Sequence, residues 1–191
     1  MRPAIGGEAR RIQVGVRRAA FTLVEVVATI IVLAVIGSIA SRTIITAMDS
    51  YVQASTQAQL HSELSIALDR IERELRKIPI KAGYGSIAPD ISSVTSTSMA
   101  WSGNCSLSLS GDQLLLAESG EPAVILLDDV SAISIQAYDE NNSALAANLS
   151  GTSCDPIRRV AIRITLQRAG VSETLGMRIF LRCTMEGAPV S

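Results

Sequence analysis

The chain has 191 residues, of which 48% are hydrophobic, 18% charged and 3% aromatic, and its formal net charge is -1. This length is enough for one domain of about 100–150 residues with an appendage, but not for two full domains. The apolar content excludes intrinsic disorder, and the near-neutral charge argues against nucleic-acid binding through the overall field of the protein, so no nucleic-acid partner is predicted.

The hydrophobicity that raises the mean hydropathy to +0.32 is concentrated near the N-terminus. Residues 21–40 read FTLVEVVATIIVLAVIGSIA and carry one charge, Glu25. A helix of this length spans about 30 Å, the thickness of the hydrocarbon core of a bilayer. One acid, Glu8, and five arginines precede the run: Arg2, Arg10, Arg11, Arg17 and Arg18. The positive-inside rule therefore predicts a single membrane span with a cytoplasmic N-terminus and an exported C-terminal part.

Glu25 is unusual inside such a span, because a carboxylate there costs at least about 2.5 kcal/mol and is usually paired or functional. Two ordinary interpretations compete. One is a secretory signal with a small-x-small cleavage site at residues 38–40 (SIA), and the other is a simple membrane anchor. Neither explains Glu25, and the helical pattern continues beyond Ala40, which disfavours a cleaved signal.

Residues 19–25 (AAFTLVE), placed between the arginines and the apolar span, resemble the leader of the type IV prepilin family. In that family a prepilin peptidase of the membrane cuts before the Phe and methylates the new amine. The resemblance implies a cleaved leader of residues 1–20, a cut between Ala20 and Phe21, and N-methylation of Phe21. The family usually has Gly before the cut, so we expect Ala20 to slow processing. The mature chain would keep 12 basic and 17 acidic residues, a net charge of -5.

A role for Glu25 in assembly also follows from this resemblance. Cleavage creates a positive amine at Phe21, about one helical turn from Glu25. In a bundle of such helices the carboxylate of one subunit can pair with the amine of a neighbour, and a register that leaves either charge unpaired is penalised. The partners implied are the prepilin peptidase, other pilins or pseudopilins, the inner-membrane assembly platform and the membrane itself.

A long helix follows from the absence of proline in residues 21–78, and Pro79 then ends the pattern. Residues 21–40 are its transmembrane part, with a soft point at Gly37-Ser38, and residues 41–78 are an amphipathic stalk. The apolar seam of the stalk comprises Leu64, Leu68, Ile71, Leu75 and Ile78. We expect this seam to pack on the protein's own sheet. A coiled-coil partner is the weaker alternative, because two heptads give it little support.

Residues 79–191 change to a period of two and predict an exported β domain. Six runs are predicted as strands: 105–109, 114–116, 123–127, 133–138, 160–166 and 177–183, with a hairpin turn at 169–172. A long helix laid on a small antiparallel sheet is an α+β fold, and it is also the architecture of pilins. The phrases LLDDVSAISIQAYDENN, CDPIRRVAIRITLQ and MRIFLRC most resemble the J-type minor pseudopilin of type II secretion, or a related minor pilin.

No set of residues predicts an enzyme. His61 is the only histidine and lies on the predicted helix, and no phosphate loop, metal-spaced Cys/His cluster or Ser/His/Asp set can be assembled. Residues 139–142 (DENN) are rich in oxygen ligands and can hold Ca²⁺, but a hydrophilic turn is the preferred interpretation. No metal site and no other cofactor are predicted.

The three cysteines all lie on the predicted exported side, where disulfides persist. Cys105 and Cys154 have polar, loop-like neighbours, whereas Cys183 alternates with apolar positions. We therefore predict a bridge between Cys105 and Cys154, with Cys183 as a small buried hydrophobe. The other two pairings, and the absence of any bridge, stay open.

The sequence thus predicts a minor pilin or pseudopilin that acts by assembly and catalyses no reaction. It would be anchored in the cytoplasmic (inner) membrane of a bacterium and then enter a type IV pilus-like or type II secretion filament. The alternative is a single-pass, membrane-anchored or secreted binding or sensor module with an ordinary signal sequence. The residues do not distinguish a secretion system from an adhesive or DNA-uptake pilus.

Overall fold

The computed structural model describes residues 22–81 and 88–182. The chain divides into two compact units, Met1–Met48 and Asp49–Ser191. Among the described residues, a single long helix, α1, contributes to both units, and a 3₁₀-helix and nine strands lie in the second. The elements are α1 Leu23–Leu75, β1 Ile91–Val94, β2 Ser98–Trp101, β3 Cys105–Ser110, β4 Gln113–Ala117, β5 Val124–Leu127, β6 Val130–Tyr138, β7 Leu149–Ser150, the 3₁₀-helix Gly151–Cys154, β8 Arg159–Arg168 and β9 Val171–Phe180.

α1 ends at Leu75, three residues before the predicted end at Ile78. Beyond Leu75 the chain continues as a tight turn, in which the amide of Ile78 donates to the carbonyl of Leu75 over 3.3 Å. The reason is Pro79, whose ring disfavours the helical conformation for the residue before it. Ile78 is nevertheless buried, so the predicted seam is complete. The predicted first residue, Phe21, lies outside the described residues.

In the second unit the apolar seam of α1 packs against the strands. The buried helix residues are Leu60, Leu64, Ala67, Leu68, Ile71 and Leu75. They belong to one hydrophobic cluster with side chains from both sheets. The prediction that the seam packs on the protein's own sheet is therefore confirmed. Each fully buried Leu or Ile in it contributes about 1.5–3 kcal/mol through removal from water.

The strands form two antiparallel sheets, where one was predicted. The larger sheet has the strand order β5-β4-β3-β2-β1-β7, and the smaller one has the order β6-β8-β9. The six predicted runs correspond to β3, β4, β5, β6, β8 and β9. The short strands β1, β2 and β7 were not predicted, because four residues or fewer, rich in Ser, give no recognisable alternation. The described part of the chain is an α+β fold with one long helix.

β8 is the central strand of the smaller sheet and has the clearest alternation in the chain. Its inward side chains are fully buried: Val160, Ile162, Ile164 and Leu166. The β8–β9 connection is a two-residue turn, Ala169-Gly170, with φ values of 51° and 79°. Positive φ at both positions is typical of the type I′ turn that joins tight hairpins. The predicted hairpin is confirmed, but β9 begins at Val171, earlier than the predicted start at Met177.

Two sets of polar contacts border the apolar seam and join α1 to the smaller sheet. Arg168 donates from both terminal nitrogens to the Glu63 carboxylate at 3.0 Å and from Nε to Asp129 at 2.7 Å. The Glu173 carboxylate contacts His61 Nδ1 at 3.0 Å and accepts from Gln57 at 3.1 Å. The Arg168 hydrogen bond lowers the pKa of Glu63, and the His61 hydrogen bond lowers the pKa of Glu173.

Candidate functional site: the exposed apolar part of the helix and its carboxylate

The part of α1 in the first unit presents apolar side chains to the outside on every face. All described residues up to Met48 are exposed. The most apolar window of α1 has a mean hydropathy of 2.6, and none of it is buried inside the protein. Among the described residues, α1 is the one helix long and apolar enough to cross a membrane. Because the apolar helix of a soluble core is mostly buried, this exposure calls for an apolar environment outside the chain.

The few hydroxyl groups in this apolar part are satisfied by the helix itself. Thr29 donates to the carbonyl of Val26 at 2.8 Å, and Ser38 donates to the carbonyl of Val35 at 2.8 Å. Ser41 bonds the carbonyl of Gly37 at 2.9 Å. In a membrane or a dry bundle every polar group needs an internal partner, and these groups have one. The helix runs without a break through the predicted soft point at Gly37-Ser38.

Thr22 caps the N-terminus of α1. Its Oγ1 accepts a hydrogen bond from the amide of Glu25 at 3.3 Å, and its carbonyl accepts from the amide of Val26 at 3.2 Å. A hydroxyl at the N-cap that binds the third helical amide satisfies one of the otherwise unpaired donors there. This role of Thr22 was not predicted from the sequence. The signal was present in the spacing Thr-x-x-Glu before an apolar run, which is typical of a capping box.

Glu25 lies in the first turn of α1, where the positive end of the helix dipole favours a carboxylate. Its carboxylate makes no hydrogen bond and no ion pair with residues 22–81 or 88–182. The next cation along the helix is Arg42, 17 residues away, which is about 25 Å at 1.5 Å per residue. The helix therefore supplies no counter-charge of its own. Ala20 and Phe21 lie outside the described residues, so the cut and the N-methylation stay predictions.

The structure does not form the predicted Cys105–Cys154 bridge. Both thiols are free; Cys105 is half-buried in β3, and Cys154 is buried at the end of the 3₁₀-helix. Cys105 pairs with Trp101 in β2, β2 pairs with β1, and the 3₁₀-helix packs beside β1. Burial, and then the nearby Asp155, raise the pKa of the Cys154 thiol. Cys183 lies outside the described residues.

The oxygen-rich segment 139–142 forms a turn after β6. The Asp139 carboxylate accepts from the amide of Ser143 at 2.8 Å, and Asn142 has a φ of 64°, a conformation that Asn tolerates. The side-chain oxygen of Asn142 accepts from Arg159 at 2.9 Å and from Arg178 at 3.0 Å. No group of three or more His, Cys, Asp or Glu residues suited to a metal occurs in the described ranges. Calcium binding stays a prediction.

A scan against protein-family models and a search of curated proteins found no match to this chain. The physical properties of α1 are therefore the basis for inferring its function. It offers a continuous apolar surface on the N-terminal side of a folded unit, and one carboxylate in the first turn of that surface. A helix of this kind can insert into a membrane or pack against similar helices. Its carboxylate favours the packing in which it meets a positive charge.

Proposed function

We propose that the chain is a minor pilin or pseudopilin. A prepilin peptidase would cut between Ala20 and Phe21, and α1 would hold the mature subunit in the cytoplasmic membrane of a bacterium with the second unit exported. The subunit would then join a type IV pilus-like or type II secretion filament through the apolar part of α1. The observation that carries this proposal is the exposed apolar surface of α1 in the first unit, with Glu25 in its first turn unpaired among the described residues.

The exposure of so much apolar surface supports the proposal that two environments cover α1 in turn, the membrane and then the filament. Leu33 is 66% exposed and Ile36 is 57% exposed, and their neighbours are similar. Each such side chain gains about 1.5–3 kcal/mol when it leaves water, so a helix with this surface does not stay in water. A bilayer can cover it before assembly, and equivalent helices of neighbouring subunits can cover it afterwards.

Glu25 would then set the register of the incoming subunit. Leaving one member of a buried ion pair without its partner costs about 3–5 kcal/mol. The amine that cleavage creates at Phe21 is the cation closest to Glu25 in the mature sequence. If that amine pairs with the Glu25 of a neighbouring subunit, every register that separates the two groups is disfavoured by this amount. The pair selects a geometry, although its net contribution to stability is small.

N-terminal sequencing of the membrane-bound protein tests the processing step. We expect an N-methylated Phe21 at the start of the mature chain. The variant Ala20→Gly, which restores the residue usual in the family, should be processed faster and at the same bond. A start at Met1, or at Ser41 after an ordinary signal cleavage, would contradict the proposal and support the membrane-anchored or secreted binding module instead.

A further inference from the structure

The outward face of the smaller sheet carries three arginines. Arg159 and Arg163 alternate with the buried side chains of β8, and Arg178 lies on β9. None of the three belongs to a salt bridge formed within the described ranges. The unit Asp49–Ser191 has 11 basic and 16 acidic residues, a net charge of -5. This face is therefore positive among the described residues, although the unit as a whole is acidic.

Neutral groups hold two of these arginines in place. The guanidinium of Arg159 lies 4.7 Å from the ring centre of Phe180, and that of Arg178 lies 4.2 Å from the ring centre of Tyr138. Both donate to the side-chain oxygen of Asn142. Such contacts orient a guanidinium without cancelling its charge. The Nε of Arg159 is buried and has no hydrogen-bond partner among the described residues. Arg159 and Arg178 are therefore held in position while they keep their charge.

A cavity of about 620 Å³ lies over this face and is lined in part by Ser134, Gln136, Arg163, Thr174 and Arg178. Gly176 of β9 is the cross-strand partner of Arg163. A Cβ at position 176 would lie 3.2 Å from the carbonyl oxygen of Ile162 and 3.5 Å from the Cβ of Arg163. Arg163 and Gly176 lie side by side across the two strands. Because Gly176 has no side chain, no side chain of β9 lies between Arg163 and the outer edge of the sheet at this position.

The outer edge of β9 is open to a further strand. β9 is ten residues long and is the last strand in the order β6-β8-β9, and no other described strand pairs with its free side. An unpaired edge of this length is a template for an extended segment of another chain. On an added strand, every second side chain points to the same face. Two acidic residues spaced i, i+2 on the added strand would thus lie on the same face as the arginines. One would be the neighbour of Arg178, and the other would be the neighbour of Gly176, in line with Arg163 on β8.

We propose that β9 and the arginines beside it bind an extended acidic segment of a partner protein, which adds as a strand along β9 and places alternate carboxylates on Arg178 and Arg163. A second cavity of about 370 Å³, lined by Arg178, Phe180 and Arg182 among others, continues the basic surface at the end of β9. A strand edge recognises a peptide backbone, and the negative unit repels a long polyanion, so a protein segment fits better than a nucleic acid. This proposal does not depend on the function proposed above.

The test uses the full chain in detergent micelles and a fluorescent ten-residue peptide of alternating Asp and Thr, equal in length to β9. Fluorescence anisotropy should detect binding of this peptide, and at least about tenfold weaker binding of the matching Asn-Thr peptide. Arg163→Gln and Arg178→Gln should each weaken binding about tenfold. Arg73→Gln removes an exposed arginine that lines neither cavity and should change nothing. A peptide N-methylated at alternate backbone amides should lose binding, because it cannot pair with the β9 edge.

Melting temperatures of the three variants should match that of the parent, because all three side chains are exposed. Failure of the Asp-Thr peptide to bind would overturn the proposal. Equal binding of the Asn-Thr peptide, or unchanged binding by Arg163→Gln and Arg178→Gln, would do the same. A ten-nucleotide oligothymidine that binds as tightly as the peptide would assign the face to nucleic acid. If the protein dimerises and Arg163→Gln abolishes the dimer, the face would be assigned to a second copy of the chain. Oligothymidine binding and an Arg163-dependent dimer would each count against a partner protein.

Discussion

Replacing Leu64 with Ala tests the contact between α1 and the sheets. Leu64 is 0% exposed and lies one helical turn from both Leu60 and Leu68, which are also buried. The variant removes three carbon atoms from a packed seam that has little freedom to collapse. Leu→Ala changes in such sites cost about 2–5 kcal/mol, and we expect about 3 kcal/mol here. With a urea m-value of about 1.5 kcal/mol/M, the unfolding midpoint should fall by about 2 M.

The assay can follow Trp101, the only tryptophan. Its side chain is 3% exposed and belongs to the same hydrophobic cluster as Leu64, so its fluorescence reports on the second unit. The matched control is Leu33→Ala, the same change on the same helix at a side chain that is 66% exposed. Urea titrations of the detergent-solubilised chain should show no shift for Leu33→Ala. A loss below about 1 kcal/mol for Leu64→Ala, or equal losses for both variants, would refute the packing of the seam on the sheets.

Three further predictions concern charge and backbone conformation. First, Glu63 and Glu173 have pKa values below the ordinary 4.5 in the folded state, so their contribution to stability is present above about pH 4.5 and is lost as the pH falls through the folded values. Urea titrations from about pH 5 to 3 should show this decline, with a shallower slope for Glu63→Gln; a flat profile for the parent would contradict it. Second, Gly170→Ala should destabilise the β8–β9 turn by about 1 kcal/mol, because Gly170 has a φ of 79°, and Gly170→Asn should cost less; equal urea midpoints for parent and Gly170→Ala would count against this. Third, Glu25→Gln should leave membrane insertion and leader cleavage intact but abolish incorporation into filaments, whereas the control Asp49→Asn should incorporate normally. An immunoblot of sheared filaments that shows normal incorporation of Glu25→Gln would exclude the role of Glu25 in setting the register.

Long, regular patterns were predictable from the sequence, and pairing between strands was not. The seam through Leu64 and Ile71 and the alternation of β8 both extend over enough residues to show their period. β5 and β6 are separated by two residues, a spacing that would predict a hairpin. They nevertheless belong to different sheets, and Asp129, between them, has a φ of 60°. Alternation shows which face of a strand is buried, but it does not show which strand lies beside it.

The same limit applies to the two surfaces for which a function is proposed. The position of Glu25 at the start of an apolar run is a local feature, so the sequence was sufficient to identify it. The Thr22 cap is equally local, and its spacing can be recognised. In contrast, the sequence places Arg163 and Arg178 on outward positions of two strands, but only the register of β8 with β9 shows that they lie in neighbouring rows. The Gly176 gap beside Arg163 depends on that register as well.

The two faces of the smaller sheet differ in what they contribute to the two proposals. Its inward face supplies Ile162 and Ile164 to the cluster that holds the seam of α1, so that face is committed to the fold. Its outward face carries Arg163 and Arg178, which are exposed. Exposed positions of this kind tolerate substitution within about 0.5 kcal/mol. Folding therefore gives no reason for an arginine at position 163, whereas the proposed acidic segment does. Since α1 supplies the apolar contacts and the sheet the charged ones, mutations of the two surfaces should have separable effects.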